Sequence, residues 1–259
     1  MSDAIYEPKG RAFEYAKLAV NLYRGCYHRC EYCFVPNMLR MSREKWLKRC
    51  QDATPVPDIL TLVERDAKRY VGTRKRVLLC FTSDPYQPIA IKSGITSATL
   101  ELLIRYDIPF VVLTKAGSVA AKDFGKYRPC DRYAVTLSFI TSDSADQWEP
   151  FAVPPAWRIA SLEMAKHSGI KTWLSMEPVI YPGEALDVID ATQHCVDLFK
   201  IGKWNHDARA KEIDWRAFAL EAIRRCERLG KPYYIKHDLR AFLKPAEFSN
   251  TEDRVVENG

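Results

Sequence analysis

In the stretch Asn21-Leu22-Tyr23-Arg24-Gly25-Cys26-Tyr27-His28-Arg29-Cys30-Glu31-Tyr32-Cys33, an apolar, β-favouring run ends at a glycine, and three thiols follow at spacings of four and three residues. A strand over Leu18 to Arg24 would deliver those thiols on one short loop. Three soft ligands this close together form a metal-site pattern. Zinc would need a fourth ligand from elsewhere, and electron-transfer iron-sulfur clusters normally take four cysteines. A [4Fe-4S] cluster on three thiolates leaves one iron open to bind a small molecule. The alternative is a zinc knuckle completed by His28 or a remote thiol. His28, between two ligands on a tight loop, is expected at the surface.

Working outward, the 259 residues are 47% hydrophobic, enough for one large core. Thirty-nine Lys and Arg against 33 Asp and Glu give a net charge of +6 and a pI near 8.8, which permits an anionic substrate without requiring one. Eight cysteines in a chain of this length do not read as a disulfide framework. Cys50, Cys80, Cys130, Cys195 and Cys226 stand singly and are expected to be small buried or half-buried residues, with no second cluster. Neither an apolar leader over Met1 to Arg11 nor a run long enough to cross a membrane is evident, so a cytoplasmic protein with no membrane partner is expected.

Beyond the thiols the pattern alternates. Residues 1–17 read as an extended lead-in, and Met38 to Cys50 as a basic helical segment. Asp58 is the expected cap of a helix from Ile59 to Tyr70. Strands are expected at Arg76 to Thr82, Phe110 to Thr114, Tyr133 to Ser138, Lys171 to Met176 and Asp197 to Ile201, with a short one at Tyr233 to Ile235. Helices fall between them at Ile95 to Tyr106, Val119 to Tyr127, Pro155 to His167 and Glu184 to Gln193, and Trp215 to Leu229 follows. Strand then helix, repeated, requires a parallel sheet. Each strand ends in polar groups: Cys26, then Ser83 and Asp84, Lys115, Ser138, Glu177, and Lys203 with Trp204, Asn205 and His206. Such groups converge at the mouth of a barrel, which favours an α/β fold of the partial (β/α)6 TIM-barrel type. One domain over residues 1–246 is expected, followed by a disordered acidic tail over 247–259.

These motifs resemble the radical SAM superfamily, and more narrowly its spore photoproduct lyase-like (DNA repair photolyase-like) group. The likeness rests on Asn21 to Cys33, Thr82-Ser83-Asp84-Pro85-Tyr86-Gln87-Pro88, Thr114-Lys115 and Phe199 to Lys203. The resemblance implies that Cys26, Cys30 and Cys33 each ligate one iron of a [4Fe-4S] cluster and that S-adenosylmethionine chelates the fourth. Reduction by an electron donor such as flavodoxin or ferredoxin would then cleave the sulfonium to a 5′-deoxyadenosyl radical that abstracts hydrogen. It further implies Tyr32 against the adenine, Ser83, Asp84 and Lys115 at the methionine end, with Lys115 on its carboxylate, and Ser138 in the same wall. Glu177 faces the mouth and joins the cofactor contacts; Lys203, Trp204, Asn205 and His206 are expected to meet the substrate.

Relatives of that group carry a cysteine where this chain has Phe81, and a tyrosine where it has Phe34. Both departures remove hydrogen-atom donors, so the resemblance supports cofactor cleavage but not the repair of a thymine lesion. If Ser83 and Phe81 point into the barrel, strand alternation aims Cys80 away from it. Basic clusters at Arg40 to Arg49, Lys68 to Arg76 and Arg224 to Arg240, with Trp46 and Tyr70 interleaved, suit nucleic acid, which is one substrate expectation. A peptide, protein or small metabolite is the alternative substrate. A zinc- or cluster-stabilised binding module without turnover is the third reading.

Overall fold

The computed structural model describes residues 3–252. Its main sheet has eight strands, here β1 (Ile5–Tyr6), β2 (Leu18–Val20), β3 (Val77–Leu79), β4 (Phe110–Thr114), β5 (Arg132–Thr136), β6 (Lys171–Met176), β7 (Leu198–Ile201) and β8 (Tyr233–Ile235), in that spatial order. All neighbours pair in parallel except β1 with β2. The six expected strands are the middle of the sheet and the expected short strand Tyr233–Ile235 is one edge, while Ile5–Tyr6 adds the other. The first expected strand, Leu18 to Arg24, is broken, with Tyr23–Arg24 pairing instead with Thr54–Pro55 in a separate two-stranded sheet. A mostly parallel α/β partial barrel is the result.

Register explains how the strands divide two cores. Val77, Leu79, Phe110, Val112, Tyr133, Val135, Leu174, Phe199 and Ile201 face the surrounding helices, in one large cluster with Val63, Leu103, Leu162, Ile189 and Phe218. The alternate residues Ala19, Leu78, Val111, Ala134, Trp173 and Leu198 fill the lumen. Pairings such as Ala19 with Leu78, Leu78 with Val111 and Trp173 with Leu198 keep that alternation in phase across the sheet. Both faces are covered, as a parallel sheet demands.

Several local readings change. The lead-in is not simply extended: after β1 a 3-10 turn, Gly10–Glu14, crosses the open side of the sheet. There Lys200 Nζ donates to the Glu14 carbonyl at 3.1 Å, and Tyr234 Oη and the His237 backbone N–H reach the Glu14 carboxylate at 3.2 and 2.7 Å. The segment read as one helix over Met38 to Cys50 is two, Val35–Met38 and Arg43–Gln51, separated where Arg40 takes a φ of +50°. Asp58 precedes Ile59–Tyr70 but makes no side-chain cap, because its backbone is left-handed. Gly117–Lys126 is a 3-10 turn rather than an α-helix.

The expected disordered tail begins too early at 247. Asn250 exchanges two hydrogen bonds with Ile235, at 2.7 and 3.1 Å, and Thr251 donates to the Tyr233 carbonyl at 2.8 Å, covering the outer edge of β8. Residues 253–259 lie outside the described residues. No helix among the described residues is long and apolar enough to cross a membrane.

Candidate active site

The cysteine loop is fastened at both ends before any ligand is considered. Gly25 enters it with a φ of +87°, and a Cβ there would stand 2.4 Å from the Arg49 carbonyl oxygen, so only glycine fits. The buried Gln87 amide then holds the turn by accepting from Tyr27 N–H at 2.8 Å and donating to the Gly25 carbonyl at 3.2 Å. Arg43 donates to the Cys30 carbonyl at 3.0 Å, and Glu31 N–H to the Trp148 carbonyl at 2.8 Å. The loop is thus held by groups from three other parts of the chain.

Cys26, Cys30 and Cys33 all line one cavity of about 540 Å³ at the carboxyl ends of the strands. Burial pushes the Cys30 thiol up to about 12 and raises Cys26 and Cys33 as well. The same cavity is lined by Tyr32, Ser83, Asp84, Lys115, Glu177, Lys203, Asn205 and His206. The convergence of strand-end groups expected from the sequence is therefore present for these residues. Two others do not reach it. Ser138 is fully buried between Leu137 and Phe139, and Thr136 on the same strand lines the cavity instead. Trp204 is core, packed edge-on against Trp148 with ring centroids 5.4 Å apart.

His28 is the clearest departure from expectation. It is buried, with Nε2 3.0 Å from Asp84 Oδ2 and Nδ1 3.1 Å from the Phe151 carbonyl. Asp84 also accepts from Tyr86 N–H at 2.8 Å, Thr114 Oγ1 at 2.8 Å and Lys115 N–H at 2.7 Å. Its carboxylate consequently ties the cysteine loop to the ends of β3 and β4. Burial alone would raise Asp84, but His28 and the backbone donors outweigh it and bring the group down to about 2.

That shift has a pH consequence. A folded value below the ordinary 3.8 means the unfolded chain protonates first as pH falls. The stabilisation is complete above roughly pH 4, is lost on descending towards about pH 2, and amounts to about 2 kcal/mol. Asp84→Asn should lower stability at pH 7 and flatten the acid limb of the stability profile over this interval. Urea unfolding at a series of pH values measures both.

Behind Tyr32 lies a group of charges that no sequence motif marked. Glu149 and Arg158, both buried, pair at 2.5 Å, and Tyr32 Oη donates to Glu149 Oε1. Arg158 also donates to the Val153 carbonyl at 2.5 Å and the Thr136 carbonyl at 3.2 Å. Burial opposes the Glu149 charge, yet Arg158 and Lys115 draw its carboxyl below the usual range. Lys115 Nζ stands 5.6 Å from the centre of the Tyr32 ring, and although burial lowers it, Cys30 and Glu149 raise it overall.

On the far wall, Glu177 accepts from Lys236 Nζ at 2.6 Å, Tyr15 Oη at 3.0 Å and Asn205 Nδ2 at 3.1 Å. Lys236 is buried and held charged, since Glu177 and Tyr15 outweigh its desolvation. Glu177 is therefore committed to protein partners. Phe81 joins the lumen, 6.2 Å from Tyr15 and 5.2 Å from Phe34 between ring centroids. Cys80 packs into the sheet–helix core and also reaches the cavity wall. Alternation from Leu78 would have placed it in the lumen, but β3 ends at Leu79 and the pattern shifts by one residue there, which brings Phe81 into the lumen. The basic run at Arg224 to Arg228 is neutralised by Glu221, Asp187 and Asp190, the pattern of a solvated face.

Comparison with known proteins places this geometry. Residues 20–195 match the family model of the Radical SAM superfamily. Spore photoproduct lyase complexed with dinucleoside spore photoproduct superposes with a TM-score of 0.69 at 14% identity, over 88% of this chain and 78% of that one. SuiB of Streptococcus suis bound to S-adenosylmethionine gives 0.56 at 12% identity, over 84% and 45%. These likenesses establish a shared fold. In sequence, the uncharacterized protein ORF301 of Acidianus two-tailed virus is 26% identical over 179 residues, 64% of this chain and 57% of that relative's length. The family match spans the cysteine loop and the strands β2 to β6 that frame the cavity, and by it the chain belongs to the radical SAM superfamily.

Proposed function

We propose that Cys26, Cys30 and Cys33 hold a [4Fe-4S] cluster and that the cavity beside them takes S-adenosylmethionine, for hydrogen abstraction from a nucleotide or nucleic acid. The single observation that carries this reading is one cavity lined by the three thiols and by Lys115. Among the described residues no three His, Cys, Asp or Glu side chains converge as a single metal ion would need. A cluster asks less, because each thiolate reaches its own iron. When bound, the pair supplies reductive cleavage of the sulfonium to a 5′-deoxyadenosyl radical, with the electron coming from a donor of the flavodoxin or ferredoxin class.

The chain's own residues do the positioning. Lys115, half-buried and held charged, offers its ammonium to the cofactor carboxylate. Tyr32, its phenol fixed by Glu149, presents a ring face to the adenine, and Ser83 lines the same wall. Asp84 acts indirectly, by holding the Lys115 backbone and the cysteine loop. Lys203, Asn205 and His206 on the opposite wall meet the substrate. A nucleic-acid or nucleotide substrate is supported by the cationic lining and by the shared fold with a structure bound to a dinucleoside.

Anaerobically reconstituted protein should be brown, and with reductant should convert S-adenosylmethionine to 5′-deoxyadenosine and methionine. Chromatography of the products checks it. Colourless protein carrying stoichiometric zinc would refute the reading.

A further inference from the structure

The cavity holds more positive charge than its own carboxylates use. Its lining includes the cations Lys9, Arg11, Lys115 and Lys203 against the carboxylates Asp84 and Glu177. Asp84 is taken by His28 and three donors, and Glu177 by Lys236, Tyr15 and Asn205. Arg11 uses Nε on Asp238 at 2.5 Å and keeps Nη1 3.3 Å from His206 Nε2. Lys115 and Lys203 stand without an ion pair among the described residues. Lys203 is half-buried; its Nζ donates to the Trp204 carbonyl at 3.1 Å and lies 5.1 Å from the Trp215 ring centre and 5.9 Å from that of Phe242. Burial lowers its affinity for the proton. Asp238 and Glu177 act on this ammonium only from a distance, each being paired with another cation, Arg11 and Lys236. An ammonium partly withdrawn from water without a direct ion pair is best satisfied by an incoming oxyanion.

Lys115 and Lys203 stand on different walls of the cavity. They follow β4 and β7, three strand spacings apart, or roughly 14 Å at about 4.8 Å per strand. S-adenosylmethionine carries a single carboxylate, so if Lys115 takes it the second anion belongs to the substrate. A cavity of about 540 Å³ is also mid-range for one drug-sized ligand. Whatever joins the cofactor inside it is a small group rather than a length of duplex.

We infer that Lys203, Arg11 and His206 form a subsite for the terminal phosphate of a small phosphate ester, of nucleotide size, across the cavity from the cysteine loop; this rests on the cofactor reading above. An ammonium, a guanidinium and an imidazole from two separate segments suit the three terminal oxygens of a monoester better than the two of a carboxylate. A free nucleotide and the phosphorylated end of a strand both present that group.

The test is calorimetry on the reconstituted holoenzyme with S-adenosylmethionine bound. The ligands are thymidine, thymidine 5′-monophosphate, inorganic phosphate, and a ten-residue thymidylate strand with and without a 5′-phosphate. The expected result is binding of the monophosphate at least tenfold tighter than thymidine. Lys203→Met should lose about tenfold to a hundredfold of that affinity, the worth of a charge-assisted contact, and Lys203→Arg should recover most of it. The same pattern with the phosphorylated strand alone also supports the subsite and assigns the phosphate to a strand end.

Equal affinity for thymidine and its monophosphate, or no saturable binding of any of the phosphate ligands, overturns the subsite even if the cofactor is cleaved. A phosphate preference in protein that never cleaves S-adenosylmethionine retains the subsite and discards the cofactor reading. Should Lys203→Met not fold, competition in the wild-type protein decides. Inorganic phosphate that fails to displace the monophosphate counts against the subsite.

Discussion

Cys30→Ala is expected to lose its iron, its brown colour and all detectable 5′-deoxyadenosine formation, a fall of at least about a thousandfold, typical when one irreplaceable catalytic group is removed. The protein should nevertheless remain folded. Cys30 contributes a small buried side chain, while the loop itself is held by Gln87, Arg43 and the backbone bonds from Glu31 and Cys33. Thermal unfolding of the variant should therefore lie within about 1 kcal/mol of the cluster-free wild type, the usual scale for deleting a small buried group. Iron and sulfide analysis, visible absorbance and circular dichroism on the same sample separate loss of chemistry from loss of fold. A variant that unfolds would instead mark the metal as structural.

Arg158→Met should give the largest loss of stability. It leaves the buried Glu149 charge with only Tyr32 as a direct hydrogen-bond partner. Breaking a buried pair by removing one member costs about 3–5 kcal/mol. For a domain of this size that is a fall in Tm of roughly 6–20 °C. The sign of its pH dependence follows from the same geometry. With Arg158 gone, burial becomes the dominant influence on Glu149 and favours its neutral form, so the deficit should shrink on acidification. Calorimetric melts of wild type and variant near pH 5 and pH 8 test this, and a deficit that grows towards low pH would contradict it.

Much of the fold and part of the site are legible in the sequence. The strands were legible because each is a short apolar run bounded by turn residues, and the site because Ser83, Asp84, Lys115, Glu177 and Lys203 each follow one. What stayed hidden depended on distances along the chain. Glu149 lies 117 residues from Tyr32, and Lys236 lies 59 from Glu177; neither sits in a motif. His28 looked exposed because neighbours in a tight loop say nothing about what packs over it, here Asp84 and the Phe151 carbonyl. Trp204 read as a substrate contact through its polar neighbours, yet its own bulk drives it against Trp148. Ser138 shares the strand face of Thr136, but alternation ceases to predict direction once the strand has ended at Thr136.

The short turn Gly10–Glu14, which spans the opening between the two sheet edges, bears on the order in which this molecule is completed. Its partners Lys200, Tyr234 and His237 are 186 to 223 residues away in sequence, and Tyr15 meets Lys236 across 221. Contacts of that separation are among the last to be rewarded during folding, because the loop-closure entropy must be met first. During synthesis residues 14 and 15 thus wait for residues 200 to 237. Until β8 and its following turn arrive, the lumen has no lid on that side and the Tyr15–Glu177–Lys236 group does not exist. The cysteine loop, held by residues no later than Phe151, can be formed well before then. Completion of the cysteine loop and completion of the Tyr15–Glu177–Lys236 wall are in this way separable events within one chain.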